Sequence, residues 1–140
     1  DPNPKKIIRA IKLVGLIAII CSIPGILLSN EIISLVYFKA NFSDYQKNIL
    51  NQSTLIGFFS LLPQSIVALM GTIFAAIKKP FKLLSTGCIM TIFFIIGSPV
   101  ALNYSGLTGL MAIYGLSYLL GSIILFVSLK QHMKGSMNTI

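Results

Sequence analysis

Charged residues divide this chain into apolar stretches of similar length. Residues 13–30, about 54–77, 83–102 and 107–129 each lack Asp, Glu, Lys, Arg and His. A helix needs about 20 mostly apolar residues to cross the hydrocarbon of a bilayer. The pattern therefore predicts four membrane-spanning helices, and no other part of the chain can supply a fifth. The expected fold is an all-α integral membrane protein, an antiparallel four-helix transmembrane bundle forming a single domain over residues 1–140.

The polar separators give a direction. Lys and Arg close to span ends stay on the cytoplasmic side. Nine of the eleven basic residues (Lys5, Lys6, Arg9, Lys12, Lys78, Lys79, Lys82, Lys130 and Lys134) fall in the two ends and the middle connection. The opposite side carries Lys39 and Lys47, offset by Glu31 and Asp44. Both termini are expected in the cytoplasm of a cell-membrane protein. A basic start before an apolar run also describes a signal peptide. Ile23-Pro24-Gly25-Ile26 offers no small-x-small cleavage site, and Ala18-Ile19-Ile20 before Cys21 lacks a lipoprotein signal. The first stretch reads as a retained helix.

The connections are unequal. The second is a basic turn around Pro80, and the third, Asn103-Tyr104-Ser105-Gly106, is short. The first, 31–53, is the one sizeable segment outside the spans. Within it Ser43-Asp44-Tyr45-Gln46 has capping-box spacing, and Phe38, Phe42, Tyr45 and Ile49 recur at helical intervals. A short amphipathic helix is expected there, lying at the outer interface or continuing into the second span.

Small residues mark where helices approach closely in lipid, because hydrophobic drive between them is weak there. The first span has Gly15, Ala18, Ser22, Gly25 and Ser29. The second has Gly57, Ser60, Gln64, Ala68, Gly71 and Ala75, and the fourth Thr108, Ala112, Gly115 and Ser122. The third span is bulkier, with Thr86, Met90, Phe93, Gly97 and Ala101. Left-handed packing at about 20° is expected from such spacing. Pro24, Pro63 and Pro99 each remove a backbone hydrogen bond in what is expected to be the outer half. Ser22, Ser60, Gln64, Ser98, Asn103 and Tyr104 lie in the same half and form a candidate outer cavity.

Composition narrows the function classes. The chain is 55% hydrophobic and 10% charged, with mean hydropathy +0.88, whereas soluble domains carry about 25% charged residues. Its net charge of +8 flanks apolar runs, so lipid headgroups rather than nucleic acid are the expected anionic partner. Abundant Ile, Lys, Asn and Ser with no Trp fits a bacterial source. Proton relays and ion-coupled transporters place ionisable groups inside their spans, and here there are none. Glu31 and Asp44 lie on one side and His132 on the other, which assembles no acid–base pair. His132 reads as a solvated tail residue. Cys21 and Cys88, among Ile, Met and Gly, read as packed and inert. The Asn-x-Ser/Thr triplets at Asn41, Asn51 and Asn103 read as chance. No enzymatic activity, cofactor or metal is expected.

The end of the first span, Pro24-Gly25-Ile26-Leu27-Leu28, the following 31–37 segment and the Gly-bearing second span resemble small four-helix DoxX-like membrane proteins. The resemblance implies a four-helix membrane fold and carries no catalytic residue. The first functional expectation is a small accessory or regulatory subunit that docks onto another integral membrane protein through Tyr37, Phe38, Phe42 and Tyr45. A second is a binder or transporter of a small apolar or lipid-like molecule through the outer cavity. A third is immunity against a membrane-active peptide. Homo-oligomerisation through a small-residue face stays open.

Overall fold

The computed structural model of the chain describes residues 4–36 and 42–137, with side chains over 6–36 and 42–133. The described residues are helical almost throughout: α1 Pro4–Leu27, α2 Ser29–Val36, α3 Asp44–Ala76 and α4 Pro80–Met137. Of these, α1, α3 and α4 are long and apolar enough to cross a membrane. Large apolar side chains cover the exterior, among them Leu16, Ile20, Phe59, Ile96 and Phe126. Such a surface is stable only against lipid tails. The protein is an all-helical membrane protein.

The 58 residues of α4 would measure about 87 Å if straight, nearly three times the roughly 30 Å of bilayer hydrocarbon. They do not run straight. Gly106 has a non-helical backbone (φ 57°, ψ −138°), a region open to residues without a Cβ. There the chain folds back, so that Phe94 meets Tyr114 with ring centroids 6.2 Å apart. A Cβ added at Gly97 would lie 3.1 Å from the Ile113 side chain, and one at Gly121 would overlap Met90. The two limbs of α4, 80–105 and 107–137, thus pack on each other.

The start of α3 follows from its sequence. Ser43 Oγ accepts the Gln46 backbone N–H (3.3 Å), and the Ser43 N–H donates to Gln46 Oε1 (2.9 Å). This capping box satisfies two donors that a helix start leaves open. At the other end, the Lys79 N–H donates to the Phe74 carbonyl and the Lys78 N–H to that of Ala75. That pair is the Schellman arrangement, and it puts Lys78 in the left-handed region (φ 55°). Pro80 then opens α4, where its fixed φ suits a first helical turn.

Packing differs between the two ends. Where α1 begins and α3 and α4 end, Ile7, Met70, Phe74, Leu125 and Leu129 form a buried apolar cluster, flanked by Ile11, Val67, Ile73 and Leu83. Towards the Gly106 turn many of the buried residues are small or hydroxylic, among them Ala18, Ser22, Ser29, Ser53 and Ser60, with Ile33 of α2 a larger one. Gly25 lies beneath the Phe58 ring, and Gly115 lies against Ser60. Gly15 and Gly57 of the same small-residue stripes face open space, so only part of each stripe is a contact face.

Candidate functional site

Of the six outer-cavity residues, Ser22 lies where α1 meets α3, while Ser60 and Gln64 pair on α3, with Ser60 against Gly115 of α4. Ser22 Oγ donates to the Ala18 carbonyl (2.7 Å), with the Phe58 carbonyl of α3 also in reach at 3.1 Å. Two residues beyond Phe58, Ser60 Oγ donates to the Gly57 carbonyl (2.7 Å) and accepts from Gln64 Nε2 (2.8 Å). A polar side chain at membrane depth needs such a partner, and Gln64 finds its partner one turn back on its own helix. The other three stand apart. Ser98 bonds back to the Phe94 carbonyl. Asn103 is exposed beside the turn, and Tyr104 is 87% exposed. Of the aromatic docking set, Tyr37 and Phe38 lie outside the described residues. Phe42 is half-buried and Tyr45 is 74% exposed.

Among the described residues, three concave surfaces follow α4 instead. A groove of about 430 Å³ lies between its two limbs and α3, with Thr86, Met90, Tyr114, Ser117 and Tyr118 among its walls. Thr86 and Ser117 are buried, and their hydroxyls donate to the Lys82 carbonyl (2.8 Å) and the Tyr114 carbonyl (2.7 Å). The rings of Tyr114 and Tyr118 stack edge-to-face at 5.0 Å. Beside it, an apolar groove of about 880 Å³ runs along one face of the first limb from Pro80 to Ile92. A third, of about 410 Å³, lies near the turn between α3 and the second limb, where Ser53 Oγ and Thr108 Oγ1 are 3.4 Å apart.

Such surfaces suit a particular chemistry. They offer long apolar walls with hydroxyls at intervals and no charge. That lining accommodates a hydrocarbon chain and gives it little to react with. The sequence pattern marked Thr86 and Met90 only as a helix contact face and passed over Tyr114, Ser117 and Tyr118, although these three stand at helical spacing on one face. Two further readings change. Cys21 and Cys88 are exposed, on the lipid-facing surface, rather than packed. The Nδ1 of His132 lies 3.0 Å from Lys79 Nζ, so this residue is tied to the α3–α4 turn and is not a free tail residue.

No curated protein and no solved structure matches the chain. A family model does, described as "Lipid II flippase MurJ", and it covers residues 3–140. This overturns the resemblance to DoxX-like proteins, which rested on a Pro-Gly helix end and glycine content common to many membrane helices. It overturns the accessory-subunit expectation as well, since the description names a transporter of a lipid-like molecule. The docking role inferred from exposed aromatics at an interface rested on a feature that membrane proteins of every function share. Over nearly its whole length, this chain belongs to the lipid II flippase MurJ family.

Proposed function

We propose that this chain supplies helices to a flippase that moves lipid II, a headgroup-bearing lipid, across the cell membrane. Membership of the MurJ family over residues 3–140 carries the reading. In this reading the chain forms four spans, consecutive ones running in opposite directions, with both termini cytoplasmic. Ile7 of α1 packs with Leu129 of α4, and nine of the eleven basic residues fall at that end or on the adjoining segments, which supports the orientation.

The hydroxyl-lined groove between the limbs of α4 holds part of the moving lipid's hydrocarbon chain. Its apolar walls replace bilayer contacts at little cost, since lipid tails and Leu side chains are equally apolar. Thr86 and Ser117 satisfy their hydroxyls internally, so the walls stay smooth for passage. The carrier binds no cofactor in this scheme and makes or breaks no covalent bond.

The test is transport of fluorescent lipid II in vesicles containing the chain, or any longer protein that includes it. Outward movement is read by a membrane-impermeant quencher. Ser117→Leu, which fills the groove, is expected to slow transport while leaving the protein folded. No transport by the unaltered protein would sink the assignment, and full transport by Ser117→Leu would remove the groove from it.

A further inference from the structure

At the end of the molecule bearing the apolar cluster, positive charge and an apolar groove meet. Lys78, Lys79 and Lys82 are exposed around the α3–α4 turn. The 3.0 Å approach of Lys79 Nζ to His132 Nδ1 brings the end of α4, with exposed Lys130, to the same rim. Among the described residues the only carboxylates are Glu31 and Asp44, which lie beyond the far end of α1 and at the start of α3. The described protein therefore offers these cations no counter-charge. The 880 Å³ groove starts at this rim with Pro80 and Phe81 and continues past Leu84 and Cys88 to Ile92. Twelve helical steps cover about 18 Å, close to the roughly 15 Å hydrocarbon depth of one leaflet. Gly87, with nothing near its missing Cβ, deepens the groove midway.

We infer that this juxtaposition is a binding site for an anionic phospholipid of the inner leaflet. Its phosphate sits among Lys79, Lys82 and His132, and an acyl chain lies along Phe81, Leu84, Gly87 and Ile92. Basic residues at the cytoplasmic border of membrane helices attract anionic headgroups, and here a groove of leaflet depth supplies the matching apolar half. A zwitterionic lipid of equal chain length fits the groove and gains nothing from the rim. The site borders the groove between the α4 limbs, sharing Leu83, Gly87 and Thr91 with it, but its charged rim belongs to this site alone and does not depend on what that groove carries.

Native mass spectrometry of the full chain in detergent tests this, with phosphatidylglycerol and phosphatidylcholine of identical acyl chains as probes. Phosphatidylglycerol is expected to bind more tightly. At about fivefold for each surface lysine, Lys79→Ala with Lys82→Ala is expected to cost roughly 30-fold and erase the preference. Gly87→Leu, placed where there is room for a side chain, is expected to weaken both lipids while helical content by circular dichroism stays constant. Equal affinity for the two lipids would overturn the inference, as would an undiminished preference in the double lysine variant. Competition by soluble glycerol phosphate as strong as by the intact lipid would remove the groove from the site. Displacement of phosphatidylglycerol by substoichiometric polyprenyl diphosphate lipid would reassign the site to the transported molecule.

Discussion

Gly25 and Gly15 lie on the same helix and invite the same substitution with opposite results. A Cβ at Gly25 would overlap the Phe58 ring, whereas one at Gly15 meets nothing within 4 Å. Gly15→Ala therefore gains helix propensity alone, at most about 1 kcal/mol. Gly25→Ala gains the same amount and must push an aromatic ring out of the α1–α3 contact, an overpacking cost of about 1–3 kcal/mol. The Ser22 hydroxyl spans the same contact toward the Phe58 carbonyl, so displacement of α3 also lengthens that bond. The net expectation is a loss of up to about 2 kcal/mol for Gly25→Ala and a small gain for Gly15→Ala. Reversible unfolding in mixed detergent–SDS micelles, followed by circular dichroism, measures both. A double-mutant cycle with Phe58→Leu isolates the cause, because the shorter side chain relieves the overlap and the Gly25→Ala penalty should shrink. Equal effects of the two alanine substitutions, or a penalty unchanged by Phe58→Leu, would refute the close-approach argument.

Three further outcomes are expected. Gly106→Ala forces a Cβ into a backbone region reserved for glycine and should lower stability by about 1–3 kcal/mol, read as an earlier midpoint in the same unfolding assay. Lys78→Gly removes the left-handed strain of a side-chain-bearing residue and should raise stability by about 1 kcal/mol, with the midpoint moving later. In intact cells, a cysteine at Asn103 should react with an impermeant maleimide in a background where Cys21 and Cys88 are Ser. One at Lys79 should react only after permeabilisation, and the reverse pattern would invert the proposed topology.

The parts of the fold legible in the sequence were those set by the solvent. Charge-free stretches of bilayer length pointed to membrane helices because an unpaired charge in hydrocarbon is costly. The capping signal at Ser43-Asp44-Tyr45-Gln46 was legible because a helix start needs those groups at that spacing, and α3 begins there. The fused length of α4 was harder to read. Asn103-Tyr104-Ser105-Gly106 looks like a loop, yet a single glycine turns the chain while its neighbours stay helical. Small-residue stripes gave candidate contact faces but not which glycine meets a ring. Gly25 and Gly57 look alike by spacing, and only Gly25 has a neighbour pressed against it.

The candidate site was less legible, for a reason that lies in its chemistry. Sequence reasoning finds catalytic and coupling sites through ionisable groups at telling intervals, because such groups are rare inside a membrane. A surface that guides hydrocarbon needs none of them. Its members are Thr, Ser, Tyr, Met and Leu at ordinary helical spacing, each with a packing role that accounts for it alone. Thr86 and Ser117 show the point, since both bond to backbone of their own helix and both help shape the groove. The absence of charge led first to an accessory subunit, but that absence equally fits a lipid carrier whose walls must not bind too tightly. What separates the two readings is the family match over residues 3–140. Folding α4 back at Gly106 creates the groove between its limbs, and the turn at Lys78 and Pro80 sets the second groove beside the cations.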